Sequence, residues 1–264
     1  MKRLLLLLIC FSALSFYKGK PQRTIDLKIM SYNIRHGKGL DTVLDLSRAA
    51  ELIKNQAPDL CGLQEIDQLT TRSDNVNQTQ YLAEHTQMEG TFGKFMSFQN
   101  GEYGMATLSA KPITSTKILK LPDGLQEPRA AIVHEVDIAI DCTIIFANVH
   151  FDWIESSEGS ASRLQQAKTL VAYINSLDKA AIITGDFNCT PDSPTMQYFA
   201  DQGFVFVEKG ADHLSFQGED ASEIDHLIYR NSEQVKFKTK QSQLLKAPII
   251  SDHRPLVVTL EVRY

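Results

Sequence analysis

A single mixed α/β domain, running from about residue 24 to the C-terminus, is the fold class that the sequence predicts. Three observations lead there. Short apolar segments rich in β-branched residues recur along the chain, as strands do. Segments with apolar residues at i, i+3, i+4 and i+7 fall between them, as amphipathic helices do. No internal repeat, low-complexity tract or long linker divides the chain. Its 264 residues, 43% hydrophobic and 22% charged, suffice to bury one full core, which argues against disorder and against a disulfide-stapled mini-fold.

In residues 24–30, Ile25, Leu27 and Ile29 alternate with Asp26 and Lys28, which predicts a strand. Leu46, Ala49, Ala50 and Ile53 keep helical spacing, and Pro58 follows the predicted helix end. Residues 59–65 read as a short buried strand and residues 81–84 as part of a second helix. Strands are predicted over 103–108 and 130–138, with a Lys111-Pro112 turn and a Leu121-Pro122-Asp123-Gly124 turn between them. Residues 143–149 form a β-branched strand. Leu164, Ala167, Val171 and Ile174 then mark a helix of about four turns. Residues 180–184 are a fully apolar strand and 194–201 a short helix. Late strands fall at 224–229 and 256–262; in the last, Leu256, Val258, Leu260 and Val262 alternate cleanly.

Before the domain, Lys2 and Arg3 precede an apolar run from Leu4 to Phe16, with Ala13 and Ser15 forming an Ala-x-Ser cleavage site. The run is shorter than the roughly 20 residues a membrane span needs. The sequence therefore predicts a signal peptide over residues 1–15 and an exported chain, periplasmic or extracellular; an uncleaved anchor is the alternative. The formal net charge is -5, and losing Lys2 and Arg3 makes the chain more acidic still. That balance argues against one large basic face for nucleic acid but leaves a local arginine cluster open. Beyond the signal, Cys61, Cys142 and Cys189 are odd in number and form no Cys-x-x-Cys pair, so neither a disulfide framework nor a zinc–thiolate site is supported. Cys61 and Cys142 lie in apolar stretches, as small core residues do.

The apolar strands share an unusual feature: they end in polar residues. One ends at Asn33, the next at Gln64-Glu65, the third at Asn148-Val149-His150 and the fourth at Gly185-Asp186-Phe187-Asn188. Asp225 opens a late strand, and Ser251-Asp252-His253 precedes the last. With a period of two, Asn33 shares the face of Ile29, Glu65 that of Leu63, His150 that of Phe146, and Asp186 and Asn188 that of Ile182. Core-facing polar groups need partners, since each left unpaired costs about 1–3 kcal/mol. A shared metal ion and a phosphate would satisfy the whole set. Each element alone has a blander reading as a turn, a strand-end charge or a structural histidine, but all of these must hold together.

In this order, Ser31-Tyr32-Asn33-Ile34, Leu63-Gln64-Glu65, Asn148-Val149-His150-Phe151-Asp152, Gly185-Asp186-Phe187-Asn188, Ile224-Asp225-His226-Leu227 and Ser251-Asp252-His253-Arg254-Pro255 resemble the endonuclease/exonuclease/phosphatase superfamily. Its members include deoxyribonuclease I, AP endonucleases, neutral sphingomyelinases and inositol polyphosphate 5-phosphatases. The resemblance spans nearly the whole mature chain. It implies a four-layered α/β sandwich, with two packed mixed sheets flanked by helices, and Mg²⁺-dependent hydrolysis of a phosphoester by activated water. The segment His150-Phe151-Asp152 is similar to the histidine-bearing branch with deoxyribonuclease I and the sphingomyelinases rather than to AP endonucleases. Ile183-Thr184-Gly185-Asp186-Phe187-Asn188 departs from the 5-phosphatase pattern.

The chemistry explains these residue types. His253 is the candidate base, because imidazole titrates near working pH, at about 6.5. The resemblance makes Asp225 the carboxylate that holds its ring. Asn33 and Glu65 are hard oxygen ligands suited to Mg²⁺, with Mn²⁺ as a substitute, and Asp252 is a further candidate ligand. Asp186 and Asn188 are candidates to face the reacting phosphate or its water, and His150 to donate to a non-bridging oxygen or assist the leaving group. Arg129 is a candidate phosphate donor, with an ion pair to Glu127 as its alternative; Arg35 and His36 are candidates for the mouth of the site. Glu102 is a candidate to orient His150, and Trp153 either stacks on substrate or packs at a rim.

The leading reading is an exported Mg²⁺-dependent phosphodiesterase or phosphatase. A metal-dependent nuclease acting on DNA or RNA is the second, and a non-catalytic module on the same scaffold the third; the third is disfavoured because every expected histidine and carboxylate is present. The partner expected is a phosphoester substrate, with nucleic acid as one class of it. No stable protein partner is implied, and the chain is expected to be a monomer. The substrate itself is not legible, because specificity lives in loops.

Overall fold

The computed structural model describes residues 22–218 and 220–264; the signal segment expected over residues 1–15 lies outside the described residues. In chain order the first half holds β1 (Thr24–Asn33), α1 (Leu46–Gln56), β2 (Leu60–Gln68), α2 (Gln78–Thr86), β3 (Glu89–Phe98), β4 (Gly101–Ser109) and β5 (Ile113–Lys120). The second half holds β6 (Ala130–Ala139), β7 (Cys142–His150), α3 (Ser157–Ser176), β8 (Ala181–Asp186), α4 (Pro194–Asp201), β9 (Val205–Phe206), β10 (Asp225–Arg230), β11 (Lys236–Leu244) and β12 (Leu256–Arg263). The predicted strands and helices are all present, most of them longer than the sequence pattern shows. Four strands are additional: β3, β5, β9 and β11.

The helices begin where local chemistry allows. Asp45, Asn77, Ser156 and Ser193 each accept a backbone N–H of the first turn, and Pro194 opens α4. α1 ends without glycine: Ala57 takes the left-handed conformation at φ 43°, and Pro58 prevents continuation.

The strands form two six-stranded sheets, ordered β11-β12-β1-β2-β4-β3 and β5-β6-β7-β8-β10-β9. Each has one parallel pair at its centre, β1 with β2 and β7 with β8, with antiparallel strands outside. α1 connects the first pair and α3 the second, as a parallel connection requires. Leu27, Ile29, Leu60, Ile144, Phe146, Ile182 and Val258 pack between the sheets. Ala49, Ile53 and Leu82 of α1 and α2 cover the outer face of the first sheet. Leu170, Ile174, Met196 and Phe199 of α3 and α4 cover that of the second. The result is four layers, helices–sheet–sheet–helices.

This plan collects function at one end. The C-terminal ends of β1, β2, β7 and β8 carry Asn33, Glu65, His150 and Asp186. The antiparallel neighbours β10 and β12 bring in Asp225 and the segment with His253 from the opposite direction. Ligands favour this end of parallel strands in open α/β sheets.

Directly below lies a polar layer between the sheets. Gln64 donates to Asn148 Oδ1 at 2.6 Å, and Asn148 Nδ2 donates to the carbonyls of Leu63 and Ala106 at 3.0 and 2.9 Å, tying β7 to β2 and β4. Gly62 makes room for it, because a Cβ there would lie 2.4 Å from Thr184 Oγ1 and 2.8 Å from Asn148 Oδ1. Gly62→Ala is therefore expected to cost about 1–3 kcal/mol by overpacking. Thermal melts check this; an unchanged melting temperature would refute the close approach.

Among the described residues the three cysteines, Cys61, Cys142 and Cys189, are buried and unpaired, and burial pushes their thiols above the usual range. They act as small core residues.

Candidate active site

The polar strand ends converge on a cavity of about 400 Å³, lined by Glu65, Arg129, His150, Asp186, Asn188 and His253 among others. Asn33, fully buried, is bonded to two of the lining carboxylates. Asn33 Nδ2 donates to Glu65 Oε1 at 3.0 Å and to Asp186 Oδ2 at 3.1 Å, and lies 3.4 Å from His253 Nε2. Three chain segments far apart in sequence thus meet at one amide.

Glu65 reaches this point against the simple strand period. Alternation would put it with Leu63, on the face covered by α1. Instead the β2–β4 register slips between Gln64 and Ile66, and Glu65 takes φ 56°, a left-handed conformation that a side chain rarely adopts. The bulge turns the carboxylate into the site. Asn188 is similarly held at φ 49°; its backbone N–H donates to Asp186 Oδ1 and its Nδ2 to the Phe151 carbonyl.

His253 Nδ1 lies 2.8 Å from Asp225 Oδ2, both residues being buried. The Asp225 backbone N–H donates to Ser215 Oγ, and the His253 N–H to Ser251 Oγ, which itself donates to the Asn33 carbonyl. The carboxylate thereby fixes the proton on Nδ1 and aims Nε2 into the cavity, 3.7 Å from Asp186 Oδ2. Burial opposes a charge on His253, but Asp225 and Asp186 outweigh it and push its pKa up to about 10. His150 behaves oppositely: burial, with Arg129 and His253 nearby, holds it well below the usual range, so it is neutral. Its Nε2 is 3.6 Å from Asp186 Oδ2.

The carboxylates outnumber their natural partners. Burial first, then the charge on Asp225, raises the pKa of Asp186, and burial raises that of Glu65. Oxygens of one buried and one half-buried carboxylate facing one amide N–H₂ are the surroundings of a cation, and turning the amide would offer Asn33 Oδ1 in its place. This donor set, oxygen only, fits a hard divalent ion. Asp186, Asp225 and His253 also place one ligand atom each within 4.8 Å of one another. Their chemistry fits a metal less well, because the Asp225–His253 hydrogen bond already occupies both groups.

The remaining sequence candidates fall around this centre. Asp252 lines the cavity but pairs with Arg35, Nε to Oδ2, at 3.2 Å. His36 Nδ1 is 4.0 Å from Glu65 Oε2. Arg129 is buried, bonded to Glu127 at 2.7 Å and to the Phe151 carbonyl at 3.3 Å, so it makes the ion pair and lines the cavity too. Glu102 does not reach His150: it alternates with Tyr103, which lines the cavity, so it faces the other side of β4 and pairs with Lys94 on the surface at 2.8 Å. Trp153, 47% exposed, is a rim residue. Asp152 is structural, accepting the Leu125 and Ile154 N–H groups. Arg72, Tyr103 and Phe216 also line the cavity, and no strand-end pattern in the sequence singles them out. The only signal for Arg72 was a lone cation in a polar loop after Glu65.

The family model described as the Endonuclease/Exonuclease/phosphatase family matches residues 30–253. No curated protein sequence matches the chain. Among solved structures, an endonuclease/exonuclease/phosphatase from Beutenbergia cavernae is similar with a TM-score of 0.76 and 18% identity, over 90% of this chain and 72% of that one. One from Bacteroides vulgatus gives 0.72 and 22%, over 90% and 99%. The mannosyl-6-phosphatase of Bacteroides thetaiotaomicron gives 0.68 and 20%, over 89% and 99%.

Proposed function

Because the chain belongs to the endonuclease/exonuclease/phosphatase family, whose members are phosphoric ester hydrolases, we propose that it is an exported, Mg²⁺-dependent phosphoesterase that attacks its substrate with water activated by His253. The observation that carries this reading is the buried Asp225–His253 pair, 2.8 Å apart, aimed at the point where Asn33 draws Glu65 and Asp186 together.

Asn33, Glu65 and Asp186 would hold the metal, and Asp252 stands ready beside Arg35 as a further oxygen donor. When bound, the ion polarises a phosphoryl oxygen and offsets developing negative charge. The carboxylates that hold His253 protonated include Asp186, and with that charge offset by a divalent cation the ring would return to its neutral form. Nε2 then accepts the proton of the attacking water while Asp225 keeps the ring oriented and stabilises its charged form. Neutral His150, with one N–H to give, donates to a non-bridging oxygen or to the leaving oxygen. Asn188, its Nδ2 engaged with the Phe151 carbonyl, leaves Oδ1 to orient the water. Export rests on Lys2-Arg3 and the apolar run to Phe16.

The test is a substrate panel with Mg²⁺: plasmid DNA, RNA, sphingomyelin, phosphoinositides, a chromogenic diester and mannose 6-phosphate, the last because one similar structure is a mannosyl-6-phosphatase. Turnover of at least one is expected, abolished by EDTA and restored by Mg²⁺ or Mn²⁺. Full turnover in a chelated sample would sink the metal assignment. Export predicts a mature N-terminus near Phe16; an intact Met1 on the recovered cytoplasmic protein would contradict it.

A further inference from the structure

One cation of the cavity, Arg72, is held in place by a carboxylate that does not line the cavity. Asp67, fully buried, accepts Arg72 Nε at 2.7 Å and Arg72 Nη2 at 2.8 Å, and also the hydroxyls of Thr70 and Ser73. The Arg72 guanidinium carbon lies 4.6 Å from the centre of the Phe98 ring and 5.2 Å from that of Tyr103. A bidentate carboxylate and two aromatic rings therefore fix the side chain before any ligand arrives. Its third nitrogen, Nη1, has no acceptor among the described residues, and the side chain is 26% exposed where it lines the cavity with Glu65 and His150.

Arg129 differs in one respect that matters. Its partner Glu127 lines the cavity itself, so that arginine is neutralised on the side a ligand would approach. The partner of Arg72 lies behind it, fully buried and outside the cavity lining. Arg129 Nη2 likewise has no acceptor among the described residues, but of these two arginines only Arg72 has its neutralising carboxylate outside the cavity lining.

We propose that Arg72 binds the substrate phosphate and makes the site selective for phosphate monoesters over diesters. This rests on the phosphoester-hydrolase reading above. A monoester has a second pKa of about 6, so at neutral pH it carries close to two charges on three terminal oxygens. A diester carries one charge on two. The groups at the metal end serve either ester equally; a preorganised guanidinium at their side matches the extra charge and the extra oxygen.

The experiment compares p-nitrophenyl phosphate with methyl p-nitrophenyl phosphate, which share a leaving group, in the wild type, Arg72→Gln, Arg72→Lys and Asp67→Asn/Arg72→Gln. Arg72→Gln is expected to raise KM for the monoester about 10- to 100-fold and to move the diester less than about threefold. Arg72→Lys falls between, because an ammonium keeps the charge but not the fork. Calorimetric titration with inorganic phosphate in EDTA should show the same loss without turnover. Arg72→Gln leaves a buried carboxylate unpaired, so the double variant removes both partners and must reproduce the monoester effect at a near-native melting temperature. If it does not fold, Arg72→Lys decides. A folded variant with an unchanged monoester-to-diester ratio and unchanged phosphate affinity overturns the proposal. If the wild type cleaves neither these esters nor any substrate of the panel, the hydrolase reading fails instead, while the phosphate titration still tests Arg72.

Discussion

Replacing His253 by alanine is expected to lower kcat by about 10²–10⁴-fold, the usual worth of a general base. The expectation comes from geometry: Nδ1 is held by Asp225 at 2.8 Å and Nε2 faces the cavity. Asp225→Asn should also lower kcat, since an amide stabilises the wrong tautomer and cannot support the charged ring. The two residues act as one unit, so the double variant should lose much less than the product of the single losses. A double-mutant cycle on kcat, with melting temperatures alongside, checks this. Multiplicative losses accompanied by collapsed stability would reject the base–orienter pair and leave the metal ligands untouched.

Asp186→Asn is expected to lower turnover by about 10²–10³-fold while making the metal-free fold more stable. Both effects have one cause. Burial and the neighbouring Asp225 push the Asp186 carboxyl up to about 7, so the fold resists the charge that catalysis requires. In the unfolded chain the same group titrates near about pH 3.9. A carboxyl raised in the folded state favours folding below its unfolded pKa, and that advantage disappears as pH rises through the folded value. In EDTA at pH 8 the variant should therefore melt higher than the wild type, and at pH 4 the difference should vanish. Adding Mg²⁺ should stabilise the wild type more than the variant, since a ligand that binds only the native state raises its stability. Glu65→Gln should share the loss of turnover and the weakened metal response. A wild type that melts above Asp186→Asn at pH 8 without metal would contradict the account.

The sequence revealed the interior of both sheets and little of their margins. Every strand flanked on both sides was legible from its apolar run. The four that were not, β3, β5, β9 and β11, are the four sheet edges. An edge strand such as β5 is exposed along most of its length, and β11 reads Lys-Phe-Lys-Thr-Lys, so hydrophobic period carries little there. Lysines on such strands discourage pairing with another chain. At the site, strand-end residues were legible because polar groups ending apolar runs are unusual. The direction of Glu65 was not, because a bulge with φ 56° reverses the period. Arg72 was not either, since its role depends on a loop wrapped around Asp67 and on rings that come from β3 and β4.

β1 runs toward the catalytic end and β12 runs away from it, paired so that Thr24 faces Arg263. Beyond them, Arg23 and Tyr264 exchange both backbone hydrogen bonds, at 2.9 and 3.0 Å. The domain's two ends therefore leave side by side, a full strand of 10 residues, or about 30 Å, from Asn33. A fusion partner, an affinity handle or a surface attachment placed at either end hangs from the base of the molecule with the mouth pointing outward. Joining the two ends by a short linker and opening the chain at an exposed loop would preserve the same architecture, which makes the scaffold suited to circular permutation.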